Sequence, residues 1–254
     1  MSIIKKRINV GKREEGKSVH GFFMLNICKG FTIISFSQYT YINLRGRDDM
    51  TELVLSAAIG YGMGQINPAA MVSKLKKKDL REYGTGNLGA TNTVLVFGKA
   101  YGILVLLIDV FKAYFAIQIT KTLFPMMKFA GLAAGCFAVI GHVFPAYLEF
   151  HGGKGVATFA GMILAYDVRV LIVILAIAIL LMVVTNFGTW GPVSAAFLFP
   201  VWLLIKVESL TVFGGVAAVG GLVIYKHKEN FRNAKEGKEI LVNEFAEEMH
   251  KFSL

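Results

Sequence analysis

Polar and apolar positions in this chain are segregated over stretches the length of whole helices. From Glu52 to Tyr225 long apolar runs follow one another, separated by short polar breaks. Seven runs stand out, near Glu52–Met71, Ala100–Thr120, Met127–Phe150, Val156–Tyr166, Val168–Asn186, Trp190–Ile205 and Leu210–Tyr225. Runs of this kind match the hydrocarbon core of a bilayer, which takes about 20 apolar residues of helix to cross. The pattern therefore predicts an all-α fold, a polytopic transmembrane helical bundle of about seven spans. Val156–Tyr166 is too short to cross alone. It extends, is partly re-entrant, or leans on its neighbours.

Composition agrees. Of 254 residues, 55% are hydrophobic and only 17% charged, more apolar surface than a soluble domain of this length needs. The formal net charge is +10, with the basic residues gathered outside the apolar runs. That placement fits loops facing anionic lipid headgroups better than a nucleic-acid surface, and no soluble basic domain is present to bind nucleic acid. The two cysteines, Cys28 and Cys136, have no partners at metal-site spacing. No carboxylate–histidine cluster suggests a metal, and no cofactor is implied.

Residues 1–49 differ from the rest. They carry Lys5, Lys6, Arg7, Lys12, Arg13 and Lys17, and Lys29 interrupts the mixed stretch Phe22–Phe36. This is a poor span and, without a small-residue cleavage site, a poor signal peptide. The expectation is an N-terminal extension, disordered or amphipathic, or a start assigned too far upstream of Met50. Residues 50–240 then form the membrane domain and 241–254 a C-terminal tail.

Charge gives the orientation. The loop after the first run holds Lys74, Lys76, Lys77, Lys78 and Arg81; the segment after the last holds Lys226, Lys228, Arg232, Lys235 and Lys238. An odd number of spans puts both on one side, the cytoplasmic one by the positive-inside rule. Opposite loops hold only Lys121, Lys128, Arg169 and Lys206. Within the second run, Asp109 and Lys112 stand at i, i+3. That spacing fits a mutually neutralising pair facing the protein interior.

Candidate chemistry sits on the basic side. Gly84-Thr85-Gly86-Asn87-Leu88-Gly89 satisfies G-x-G-x-x-G, but a lysine-rich loop precedes it instead of a strand, which excludes a dinucleotide fold. What remains is a tight turn whose N–H groups, with Thr85, Asn87 and Asn92, suit an oxyanion. The competing reading is an interhelical turn built for close packing. Gly152-Gly153-Lys154-Gly155 lacks P-loop spacing, yet Lys154 between glycines can project an ammonium onto a phosphate. Alternatively, Lys154 marks the membrane interface. His142 lies just before Phe144-Pro145, and His227, Asn230, Arg232 and Glu239 follow the last run. No G-x-S-x-G elbow and no H-x-x-x-x-D signature occurs, so an enzyme here works by positioning and anion stabilisation.

These residues carry a resemblance. Gly84–Asn92, the block Gly141-His142-Val143-Phe144-Pro145 with Gly152–Thr158, and His227–Glu239 resemble the three cytoplasmic motifs of the bacterial acyl-phosphate:glycerol-3-phosphate acyltransferases, the PlsY family. Asp109-Val110-Phe111-Lys112 resembles its second-span pattern. The resemblance covers about Leu53 to Glu239. It implies a seven-helix multi-pass enzyme of the cell inner membrane, its site facing the cytoplasm and making a phospholipid precursor. The partners implied are acyl phosphate, glycerol 3-phosphate and membrane lipid, with no metal or nucleotide cofactor. Carried over residue by residue, His142, Lys154 and His227 are the catalytic candidates. Thr85, Gly86, Asn87, Gly89, Asn92, Gly152, Gly153, Gly155, Thr158, Asn230 and Glu239 are the substrate-binding candidates.

The chain departs from the family pattern at four places. Gly64-Gln65-Ile66-Asn67-Pro68 replaces Gly-Ser-Ile-Pro, and Thr85 replaces a serine. Leu95 and Asn186 stand where the family usually has arginine. Losing two guanidinium groups defines the alternative readings: a paralogue with another acceptor, or a non-catalytic lipid-binding or transport protein. The paired halves common in transporters are not found. The sequence gives no signal for oligomeric state.

Overall fold

The computed structural model describes residues 49–251, so the extension expected at 1–49 lies, but for Asp49, outside the described residues. Among them every regular element is a helix. The first apolar run is not one helix. It divides into α1 (Asp49–Gly64) and α2 (Pro68–Lys76). Pro68 lacks an N–H and cannot continue a helix, but it suits a first helical position. Asn67 caps the new start, its Oδ1 accepting from Ala70 N at 2.9 Å.

A short turn, Leu80–Glu82, leads to the glycine hairpin and then α3 (Ala90–Phe97). Gly98 breaks the chain before α4 (Lys99–Leu123). The third run is shorter than its apolar length suggested. α5 spans Ala130–Val143 and Pro145 ends it. α6 occupies Val156–Tyr166, followed by α7 (Val168–Thr185), α8 (Trp190–Val207) and α9 (Leu210–Tyr225). Two short polar helices close the described chain: α10 (Lys228–Lys235) and α11 (Val242–Lys251).

Among the described residues, five segments are long and apolar enough to cross a membrane: Lys99–Leu123, Ala130–Leu148, Val168–Thr185, Trp190–Val207 and Leu210–Lys235. α1, at 16 residues, and α6, at 11, fall short of that length. α7 has a mean hydropathy of 3.0 and only 11% of it is buried, so most of its leucines, isoleucines and valines face outward, as lipid contact requires.

Small residues set the helix spacing. A Cβ on Gly60 or Gly64 would collide with the carbonyls of Ala134 and Ala138, so α1 lies directly against the α5 backbone. Without a hydrophobic force between helices in lipid, such close approach supplies van der Waals contact instead. The principal apolar core joins α5, α6, α8 and α9 through Val139, Phe159, Met162, Ile163, Phe199, Leu203, Val216 and Val223. Phe159 meets Phe199 edge-on at 5.9 Å between ring centroids.

Inside this frame the ion pair expected on α4 is present, and it is larger than a pair. Lys112 Nζ donates to Asp109 Oδ1 at 2.7 Å and to the Ile66 carbonyl at 2.7 Å. It also lies 2.7 Å from His142 Nδ1. All three side chains are buried. Lys112 thus bridges Asp109, the Ile66 carbonyl and His142 Nδ1, and His142 Nδ1 itself lies 3.2 Å from Asp109 Oδ1. The cluster ties α4, the α1–α2 break and the end of α5 together. Tyr61 Oη on Phe144 O (2.8 Å) and Ala146 N on Gln65 Oε1 (3.0 Å) reinforce the same junction.

Candidate functional site

Three stretches distant in sequence surround one cleft of about 490 Å³. The hairpin supplies Gly84, Thr85, Gly86, Asn87 and Leu88; the second glycine loop supplies Gly152 and Lys154; α10 and the chain beyond it supply Asn230 and Glu239. Each belongs to a different sequence motif, so the fold converts three separate motifs into one surface.

The hairpin owes its shape to Asn92. The Oδ1 of this side chain accepts from Thr85 N at 2.8 Å, while its amide donates to the carbonyls of Leu80, Tyr83 and Asn87 at 2.8–3.0 Å. Asn92 is fully buried. It is thus an internal brace: its amide is spent on the loop, and the side chain is not part of the cleft lining. Gly84 and Gly86 take φ of 59° and 69°, left-handed conformations that a side chain disfavours. The N–H groups of Thr85, Gly86 and Gly89 are consumed within the turn. Among the described residues those of Gly84, Asn87 and Leu88 have no partner, so three backbone donors of the hairpin remain for an anion.

The second loop folds back on its own helix. Gly152 N donates to Val143 O and Gly153 N to His142 O, at 3.1 and 3.2 Å. Gly153 fills the gap between the His142 ring and the Leu88 carbonyl, and a Cβ there would strike both. Gly152 and Gly153 therefore serve by small size, Gly152 against the end of its own helix and Gly153 against loop one, and do not offer their amides. Gly155, at φ 85°, turns the chain into α6. Lys154 projects from this loop into the cleft, with His151 beside it. Its Nζ donates to Asn230 Oδ1 at 2.5 Å, and Asn230 Nδ2 donates to Glu239 Oε1 at 2.5 Å. Partial burial pushes the Lys154 ammonium below the ordinary lysine range; Glu239 opposes that shift and Lys226 adds to it.

Other candidates stand back from the cleft. His142 is buried in the Asp109–Lys112 cluster and does not line it. His227, also buried, has its Nδ1 2.8 Å from Val223 O, one helical turn behind. Thr158 is buried in α6 with an unpartnered hydroxyl, and Gly89, Gly153 and Gly155 shape the loops without facing the cavity.

Several lining residues were not singled out for the site. Arg81, His151, Lys226, Glu229, Asn233 and Lys238 all face the cleft. Arg81 forms a two-toothed ion pair with Asp79, at 2.7 Å and 3.0 Å to Oδ2, which holds the Asp79 carboxyl below its usual range. Lys238 pairs with Glu236 at 2.7 Å. In sequence, Arg81, Lys226 and Lys238 had served only as markers of orientation. Their proximity to the glycine hairpin and to Asn230 was the available signal. Neither Leu95 nor Asn186 lines the cavity.

A polar cleft lined by more cationic than anionic side chains, floored by a glycine hairpin and set on apolar helices, defines a membrane protein with a site of the chemistry that suits a small anion. The comparisons with known proteins agree. The profile of the glycerol-3-phosphate acyltransferase family matches residues 54–237. Among characterised relatives, a glycerol-3-phosphate acyltransferase of Legionella pneumophila (strain Corby) is 34% identical over 194 residues, covering 75% of this chain and 69% of the relative. That of Staphylococcus carnosus is 34% identical over 197 residues, covering 74% and 96%. The crystal structure of PlsY (YgiH), an integral membrane glycerol 3-phosphate acyltransferase, in its glycerol 3-phosphate form superposes with a TM-score of 0.69 at 28% identity, covering 74% of this chain and 94% of that one. The same enzyme in its lysophosphatidic acid form gives 0.66. The chain belongs to the glycerol-3-phosphate acyltransferase family.

Proposed function

We propose that this protein transfers a fatty acyl group from acyl phosphate to the 1-hydroxyl of glycerol 3-phosphate, releasing lysophosphatidic acid and inorganic phosphate for phospholipid synthesis. The observation that carries this is the convergence of Lys154, Arg81 and Lys226 with the free Asn87 and Leu88 amides on one cleft. Acyl phosphate is a mixed anhydride and already activated, so the chain needs no nucleophile of its own. The acceptor hydroxyl forms the new C–O bond at the acyl carbon, and the anhydride C–O bond breaks. Phosphate leaves with the electron pair. Lys154 and the hairpin amides neutralise the phosphate oxygens, an electrostatic contribution that grows as charge develops. With His142 and His227 withdrawn from the cleft, the hydroxyl proton passes to a substrate phosphate oxygen.

The cleft lies on the cytoplasmic side of a seven-span bundle. The loop ending at Arg81 and the segment Lys226–Lys238 line the same cavity, which supports placing both basic segments on one face. α1 and α6 complete the seven where the lipid is locally thinned around them. The function is tested with purified protein, palmitoyl phosphate and a panel of polyol phosphates. Phosphate release dependent on glycerol 3-phosphate is expected. Acceptor-independent hydrolysis, or preference for another polyol phosphate, would overturn the assignment.

A further inference from the structure

The chain beyond α10 is pinned at both ends. At its start Gly237 takes φ 67°, Gly237 N donates to Ala234 O, and Lys238 N donates to Asn233 O at 2.8 Å. At its end the chain is held by the corner between α7 and α8. Asn186 O accepts from Val242 N at 3.2 Å, Asn186 Oδ1 accepts from Asn243 N at 3.0 Å, and Asn186 Nδ2 donates to Asn243 Oδ1 at 2.8 Å. The same corner reaches α10, where Phe187 meets Phe231 edge-on at 5.7 Å. Between the pins, residues 238–241 form a non-helical arch, and Lys238, Glu239 and Ile240 line the cleft. Glu239 holds Asn230, which holds Lys154. The whole arch and all of α11 lie outside the family match, which ends at 237. Asn186, where the resembling family usually has arginine, sits at φ 54°, a left-handed position that asparagine tolerates.

We propose that Asn186 is a positioning residue for the substrate cleft. Its clasp on Asn243 sets the arch, and the arch sets Glu239, Asn230 and, through them, the Lys154 ammonium. The guanidinium absent at position 186 is thereby exchanged for control over a cation already in the site. The proposal rests on the reading of the cleft as a phosphate site. Loosening the clasp lets Glu239 drift from Asn230, so Lys154 loses both its register and the carboxylate that helps keep it charged.

The test uses the full chain carrying Asn186→Gly, which keeps the left-handed backbone but removes both side-chain hydrogen bonds. Asn243→Asp, which keeps the acceptor for Asn186 Nδ2, serves as the conservative control. Two readouts are taken. The first is the pH midpoint for acetylation of Lys154, followed by mass spectrometry and requiring no catalysis. The charged groups around Lys154 are Glu239 on the arch, Lys226 and His227 after α9, Glu229 on α10, and Arg81 and Lys238 on the rim. Of these, the variant moves Glu239 and Lys238, which share the arch. Loss of the carboxylate lowers the midpoint, whereas loss of a neighbouring lysine raises it. Asn186→Gly is expected to lower the midpoint and to raise the KM for glycerol 3-phosphate about tenfold, with a smaller change in kcat. Asn243→Asp is expected to behave as the unmodified chain. An unchanged midpoint in Asn186→Gly, or equal loss in Asn243→Asp, would overturn the proposal. A chain with no transferase activity would overturn the functional reading alone, and the acetylation midpoint would still decide the role of Asn186.

Discussion

The Lys154 ammonium and the Asn230 side-chain oxygen, 76 residues apart in sequence, share a hydrogen bond of 2.5 Å across the cleft. One end of this contact sits in a glycine loop and the other on α10. The lysine is therefore directed by its partner and not by its own flexible neighbours. Lys154→Ala is expected to fold and to lose about 2–4 kcal/mol of transition-state stabilisation, the usual cost of deleting a preorganised charge. Phosphate-release kinetics on well-folded variant protein check this. Unchanged kinetics would reduce Lys154 to an interface marker.

Burial lowers the Lys154 ammonium below the ordinary 10.5. Its charge is lost as pH rises through that lowered value, so kcat/KM for the phosphorylated acceptor should decline at a pH below 10.5. Between the lowered value and 10.5 the unfolded chain binds the extra proton, so this group's contribution to stability rises with pH over the same window. Glu239→Gln removes the carboxylate that opposes the shift, and should move the activity limb to still lower pH. A limb unaffected by Glu239→Gln would detach it from Lys154.

Removing one member of the buried Asp109–Lys112 pair strands the other in a medium where an unpaired charge is costly. Asp109→Asn or Lys112→Met should each cost about 3–5 kcal/mol, and the double variant should recover much of it. Unfolding in detergent micelles measures the three variants. Additive losses in the double variant would contradict the pairing.

Arg81 lines the cleft, whereas Leu95 is half-buried on α3 away from it. Arg81→Ala should raise the KM for glycerol 3-phosphate about tenfold while sparing kcat, as loss of one charge-assisted contact predicts. Leu95→Arg, which places its guanidinium outside the cleft lining, should leave that rise in place. An unaltered KM in Arg81→Ala would leave Arg81 as a partner for Asp79 only.

Much of the frame was legible because apolar length is additive along a helix. α4, α7, α8 and α9 lie near the expected runs for that reason. The break at Asn67-Pro68 was written in the sequence as a cap followed by a first-turn proline, yet the apolar run across it carried more weight. The three motif loops were legible as site-formers, but the roles within them were not. Asn87 and Asn92 are the same residue type, five positions apart, and only folding decides that one faces the cleft while the other braces the turn. His142 beside a lysine loop suggested proton transfer. The deciding fact, that Lys112 and Asp109 enclose it, depends on helix packing that no local pattern encodes. Asn243 gave no signal, since its partner lies 57 residues away.

The outward face of α7 has a consequence for how this protein changes over time. With 11% of its span buried, its apolar side chains answer to the surrounding solvent phase more than to any neighbour. One greasy residue there substitutes for another at little cost, so the middle of the helix is free to drift. Its ends are not. Asp167 Oδ1 caps the start through Arg169 N at 2.8 Å, and Asn186 finishes it in the clasp. α7 thus behaves as a spar: interchangeable along its length, and specified at the two fittings where it meets the rest of the molecule.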